Sequence, residues 1–341
     1  MVDLIKRLLP EEKLLISLCR LVFSEEQKKE ISLLMNEIND WDHFIRLVNG
    51  HGIIALAAHN IRETGMADHV PPEVMKVLDN GRMQSMARNT WLAQRWKEVN
   101  TILTESGIKH ILLKGLALEH TVYGSRGLRQ MTDTDILVRK DDVMKAWLLL
   151  QEHGFKSDTI KSPLHRKIIT ETGKHMPTLR KDGFPVDIHH RLFYESEKNE
   201  ILNDAIDNAI AIKVEGTRAF ILNDDLHLEF LKKHHEDHMT SGGSQLRLFL
   251  DMELIRPGSA TALTEEFLSG PYQSGTPGQR KEYYRIHYFA LPHGVRIRYL
   301  AGDIFPSLRW MKKRHQCGTV KAILLYPRRL GKLLWVFGGK A

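Results

Sequence analysis

The sequence predicts an α+β protein in which a block of short strands sits between two helical regions. Three observations carry that expectation. Apolar residues recur at helical spacing up to about residue 106, β-prone and helical runs alternate between 107 and 195, and the remainder, 196–341, is again mainly helical and increasingly basic. These bounds divide the chain into an N-terminal helical region (1–106), a mixed core (107–195) and a C-terminal helical, basic region (196–341).

In the first region Trp41, Phe44, Ile45, Leu47 and Val48 fall on one helical stripe, as do Ile53, Ile54, Leu56 and Ala57. Pro71-Pro72 opens a longer helix, since proline fits a first helical turn. Its apolar stripe carries Trp91, Leu92, Trp96, Val99, Ile102 and Leu103, and Gly107 ends it. The core then reads as a buried strand ending at Leu113, a helix from Leu116 to Tyr123, and a Gly/Arg loop from Gly124 to Gln130. A strand from Thr134 to Arg139 and a helix stopped by His153-Gly154 follow. Lys181-Asp182-Gly183 is a turn signal between two β-prone runs, which predicts a hairpin with Asp187 on its second arm. After Arg191 the sequence turns helical, with Asp224-Asp225 starting one helix and Leu246 to Ile255 forming another.

Composition narrows the function classes. No run of eighteen apolar residues occurs, so no transmembrane segment is expected. The first residues intersperse charges among apolar positions, as in an amphipathic helix rather than a signal peptide. Cys19 and Cys317 form neither a metal motif nor a disulfide framework, and the expected location is cytoplasmic. The net charge of +7 is uneven: residues 295–341 hold eleven Lys/Arg against Asp303 alone, so the rest of the chain is net acidic. Such a C-terminus suits nucleic acid, an anionic membrane surface or a polyphosphate, or else it is a solvated face. Leu333-Leu334-Trp335-Val336-Phe337, among basic residues, is the stretch that would meet a membrane surface as a peripheral contact, while a closing amphipathic helix is the preferred expectation for it.

The chemistry concentrates at Asp133 and Asp135. Residues i and i+2 of a strand share a face, so both carboxylates point to one spot. At ~4 Å two like charges repel by about 4 kcal/mol at an effective dielectric near 20. A shared proton, a basic side chain or a divalent cation must offset this. No basic residue is interleaved with the pair, and Asp187 supplies a third acid on a strand of its own. If the two strands are neighbours, the three carboxylates converge. An all-oxygen set favours Mg²⁺ or Mn²⁺ over zinc, and such ions can clamp a triphosphate. Lys114 and Gly115 follow the first strand where a bare backbone lets phosphate approach, and Arg126 and Arg129 lie in the loop leading to the aspartates, within reach of phosphate oxygens. Alone, Asp-x-Asp is commonly a turn and a cap; these neighbours raise its weight.

The string LLKGLALEHTVYGSRGLRQMTDTDILVRKDDVMKAWLLLQEHGF, with the later PVDIHHRL run, resembles a bacterial, uncharacterised nucleotidyltransferase family of the DNA polymerase beta-like superfamily. That resemblance implies a small mixed β-sheet nucleotidyltransferase core at 107–195 and transfer of a nucleoside monophosphate from an NTP, with ATP the expected nucleotide. It implies Asp133 and Asp135 as ligands of both metal ions, and Asp187 as the third ligand and general base. The superfamily carries Gly-Ser after its first strand; here Lys114-Gly115-Leu116 stands instead, which implies that Lys114 takes over the phosphate contact. The acceptor stays open among sugar phosphate, peptide or protein, and RNA. Two other functions fit the same residues: a catalytically degenerate scaffold, and a toxin-like transferase acting on RNA.

Several histidines stand beside this set. His189 lies at i+2 from Asp187, shares its face, and is a candidate contact to substrate or phosphate; the alternative is a satisfied buried histidine. His175 approaches the same cleft across the expected hairpin. His234, His235 and His238 lack the zincin order and are expected to pack.

Overall fold

The computed structural model describes residues 8–124, 127–194, 200–241, 245–258, 281, 284–285, 288–289 and 291–338. Five helices open it: α1 Pro10–Ser17, α2 Glu25–Glu37, α3 Trp41–Gly50, α4 Ile54–Glu63 and α5 Pro72–Glu105. Ser24 and Asp40 accept hydrogen bonds from the backbone N–H of Gln27 and His43, satisfying first-turn donors of α2 and α3. Gly107 ends α5 at φ +69°, a conformation that glycine adopts without cost. Leu14, Ile31, Phe44, Val48, Leu56 and Leu78 bury against one another and against Leu231, Leu246 and Phe249 from much later in the chain. The N-terminal helices therefore share a core with C-terminal ones.

The strands and helices of the middle are β1 His110–Leu113, α6 Lys114–Thr121, β2 Thr134–Val138, α7 Val143–Glu152, β3 Lys156–Ser157, α8 Pro163–Thr172, β4 Leu179–Lys181 and β5 Phe184–His189. The expected hairpin is β4–β5, turned by Asp182 and Gly183 at φ 51° and 81°. Then come α9 Leu202–Asp207, β6 Ile210–Val214, β7 Thr217–Ile221, α10 Asp224–Ser241 and α11 Leu246–Ile255. After the segment that includes 259–280, α12 His293–Ile304, α13 Leu308–His315, α14 Thr319–Leu324 and α15 Tyr326–Phe337 close the described chain.

The seven strands form one mixed sheet in the order β3-β4-β5-β2-β1-β7-β6. β1 pairs antiparallel with β2, β2 parallel with β5, and β1 parallel with β7. The β6–β7 hairpin departs from the helical expectation after Arg191. Its turn is Glu215-Gly216 at φ 49° and 77°, a primed hairpin turn without the usual Asn or Asp, and β6 is largely exposed, so its alternation is weak. The sheet consequently runs past the boundary expected at 195.

Side chains alternate across this sheet. Leu112, Ile136, Val186 and Ile188 meet Trp96 of α5 and Trp147 of α7 on one face. Ile111, Leu113 and Leu137 meet Leu202 and Phe230 on the other. Asp135 has the parity of Leu137, and Asp187 is out of phase with Val186 and Ile188, so both carboxylates belong to the face covered by α10. No helix among the described residues is long and apolar enough to cross a membrane. The C-terminal helices expose Val320, Leu324, Leu334 and Trp335, each by more than half.

Candidate active site

Strand register brings the predicted acids together. Asp135 of β2 stands directly opposite Asp187 of β5, and Asp133 lies one residue before β2. All three line a cavity of about 300 Å³, with Lys114, His189, Lys174, Tyr194 and Phe230 among its other walls. Among the described residues, no group of three or more His, Cys, Asp or Glu side chains is already arranged to hold a metal ion. Asp135 is already engaged by two basic side chains. Its Oδ1 takes the Lys114 ammonium at 2.8 Å and the His189 Nε2 at 2.8 Å.

The absence of an interleaved base in the sequence is thus a poor guide, because the base arrives from the turn that follows β1. Antiparallel pairing sets Leu113 against Asp135, and the next residue, Lys114, turns at φ 46° where β1 passes into α6. That left-handed turn carries the lysine back over Asp135, with its Nζ 5.7 Å from the centre of the Phe230 ring. His189 follows from the i+2 rule: it shares the face of Asp187, and the parallel register sets it beside Leu137. His175 bridges to His189 across the sheet, with ring centres 5.1 Å apart.

These contacts split the three carboxylates electrostatically. Burial opposes ionisation of Asp135, but Lys114 and His189 outweigh it and hold the carboxyl well below the usual range. Burial, then the charge of Asp135, raises Asp133. The same two causes raise Asp187, with a hydrogen bond from Thr178 opposing them. Burial drives His189 down to about 3, so its ring is neutral and Nε2–H donates to Asp135. Asp187 Oδ1 is buried without a hydrogen-bond partner. An unsatisfied buried carboxylate oxygen is costly, and this one lines the cavity beside two further acids. The donor chemistry fits a hard divalent cation.

The remaining predicted residues fare differently. Arg129 is not available to phosphate. Its Nε and Nη2 bind Asp251 Oδ1 and Oδ2 at 2.8 and 2.6 Å, and the Asp251 side chain is 0% exposed. Tyr123 donates to the same carboxylate at 2.7 Å. Spacing placed Arg129 near the aspartates, but Asp251 lies 122 residues away in sequence, so the competing partner was invisible. Gly115 is buried too: a Cβ there would come within 2.9 Å of Arg129 Nη1 and 3.1 Å of Met131 Sδ. Its bare backbone admits the arginine and methionine, and this packing is reason enough for glycine. Arg126 lies outside the described residues.

Three further residues, Lys174, Tyr194 and Asp237, line the cavity beyond those expected from the sequence. Lys174 forms an ion pair with Asp237 and sits 4.5 Å from the centre of the Tyr194 ring. Burial lowers the Lys174 pKa while Asp237 raises it. Lys174 stands directly before His175, and Asp237 lies inside the His-His-Glu-Asp-His run. A lysine adjoining the histidine expected in the cleft was the available clue.

Comparison with known proteins gives the broader assignment. A crystallised antigenic nucleotidyltransferase-like protein from Paracoccidioides brasiliensis is similar at 14% identity, covering 54% of this chain and 87% of its own, with a TM-score of 0.31, too low to carry an argument. No curated protein matches the chain. The family described as "Uncharacterised nucleotidyltransferase" matches residues 37–262, from α2 through α11 and beyond. That span is well over half of the molecule and takes in the whole sheet with its three aspartates, so the chain belongs to this uncharacterised nucleotidyltransferase family.

Proposed function

We propose that this chain is a divalent-cation-dependent nucleotidyltransferase that moves a nucleoside monophosphate from an NTP, with ATP the expected donor, to an acceptor hydroxyl or phosphate. The observation that carries the reading is the Asp135–Asp187 opposition across β2 and β5, with Asp133 beside it and an unsatisfied Asp187 oxygen in the same cavity. Asp133, Asp135 and Asp187 would hold Mg²⁺ or Mn²⁺, which when bound neutralises triphosphate charge and makes an acceptor hydroxyl more acidic. Asp187, whose pKa is raised, would take the proton from that hydroxyl. The acceptor oxygen then forms a bond to the α-phosphorus as the bond to pyrophosphate breaks. Lys114 and Lys174 line the same cavity and would meet the phosphate oxygens. Neutral His189 would keep Asp135 ionised and oriented.

One observation favours a second reading, a binding or scaffold protein without activity. The usual Gly-Ser is absent, Gly115 is packed under Arg129, and Arg129 is committed to Asp251. Calorimetric titration with Mg²⁺ and each NTP, followed by transfer assays with α-labelled NTPs and cell lysate, separates the two. The transfer reading expects metal-dependent nucleotide binding and a labelled product that Asp133→Asn and Asp135→Asn each abolish. Binding and labelling that survive both substitutions reject it, and absence of both signals in the wild type supports the scaffold.

A further inference from the structure

A second cavity, of about 680 Å³, lies on the other side of the segment entering β2. Thr132 lines it, whereas Asp133 lines the aspartate cavity, so adjacent residues face the two spaces. Its size falls within the range of small-molecule sites.

Two guanidinium groups serve this cavity, and among the described residues neither makes an ion pair with a carboxylate. Arg88 donates from Nη2 to the Thr132 carbonyl at 2.6 Å and lies 4.6 Å from the centre of the Trp91 ring. Arg247 donates to the Gln130 carbonyl and, at 2.7 Å, to Gln245 Oε1, while its buried Nε has no partner. Gly52, at φ +69°, lies behind this arginine, with its missing Cβ position 3.5 Å from Nε. A partly desolvated guanidinium lacking a carboxylate is an unmet demand for an anion. The walls contain no acid. They offer side-chain amides, among them Asn80, Gln84 and Gln130, and the buried Ser85 hydroxyl, which has no partner. Amides and hydroxyls in this number suit a ligand rich in hydroxyl groups, and guanidinium forks suit phosphate.

We propose that this second cavity is a separate binding site for a phosphorylated, hydroxyl-rich small molecule of the sugar-phosphate class, with its phosphate on Arg88 and Arg247. This binding stands independently of the transfer reading above. The test is calorimetric titration of the full chain, free of metal and nucleotide, with glucose 1-phosphate, glucose 6-phosphate and glucose. At least one phosphorylated sugar is expected to bind tenfold or more tightly than glucose. Asn80→Asp and Gln84→Glu place a carboxylate in the lining while leaving the arginines in place, and each is expected to weaken that binding at least tenfold. The proposal is overturned if neither phosphorylated sugar outbinds glucose, or if both substitutions leave the binding unchanged. Nucleotide titration with Mg²⁺ is run separately. Sugar-phosphate binding without nucleotide binding rejects the transfer reading and keeps the cavity assignment, and the converse rejects the cavity assignment alone.

Discussion

Replacing Lys114 with methionine removes the ammonium that Asp135 holds at 2.8 Å while keeping most of the side chain's volume. At that distance a pair of unit charges attracts by roughly 6 kcal/mol at an effective dielectric near 20, before desolvation is subtracted. Both side chains are shielded, at 13% and 6% exposed, so the measured loss should approach the value for breaking a buried pair, about 3–5 kcal/mol. The substitution also leaves three carboxylates around one cavity without their nearest cation. A divalent cation then gains twice: it no longer competes with Lys114 for Asp135, and it relieves a larger repulsion. Thermal melts with and without Mg²⁺ read both effects. Without metal, Lys114→Met should melt well below wild type; with metal it should recover much of the difference, while its nucleotide affinity falls for want of the phosphate contact. Equal metal-free stability, or a Mg²⁺ shift no larger than that of wild type, would refute the claim that lysine and cation share Asp135.

Three further outcomes follow from residues outside that contact. Arg129→Met should cost about 3–5 kcal/mol in denaturant unfolding, because it strands the fully buried Asp251, and Arg129→Met with Asp251→Leu should recover a substantial part. Burial holds His51 and His227 down to about 4 in the folded chain, against 6.5 as the ordinary value. Their contribution is therefore complete above pH 6.5 and is lost as pH falls toward 4, because the unfolded chain binds the extra protons. Each contributes on the order of 3 kcal/mol, so the melting temperature should drop steeply across that window and drop less when His227 is replaced by Gln. The exposed Leu324, Leu334 and Trp335 of the basic C-terminus set a membrane contact against a closing amphipathic helix: the helix expectation is no pelleting with phosphatidylserine vesicles, and pelleting with these but not with neutral vesicles, lost in Leu334→Glu with Trp335→Glu, would reject it.

What was readable from the sequence was periodicity and parity. The stripe on α5, the Asp182-Gly183 hairpin and the i+2 relation of Asp187 to His189 are local, and each reappears in the structure. What was not readable was set by distant pairing. The Lys114–Asp135 contact depends on β1–β2 register and on a left-handed turn at a lysine, a conformation sequence gives little reason to expect. Arg129 carried the right charge at the right spacing, but Asp251 on α11 captured it. The β6–β7 hairpin was missed because its edge strand is exposed and its turn is Glu-Gly, so neither burial nor turn chemistry advertised it.

Asp187→Asn asks whether Asp187 acts in the transfer step, since the amide keeps the shape and loses the base. Labelled-NTP transfer and Mg²⁺-dependent nucleotide binding should be measured on the same folded preparation, with its melting temperature as the check on folding. Transfer should fall by about a hundredfold or more, a typical loss when a general base is removed, while nucleotide still binds. Transfer at the wild-type rate by a folded Asp187→Asn protein would contradict it.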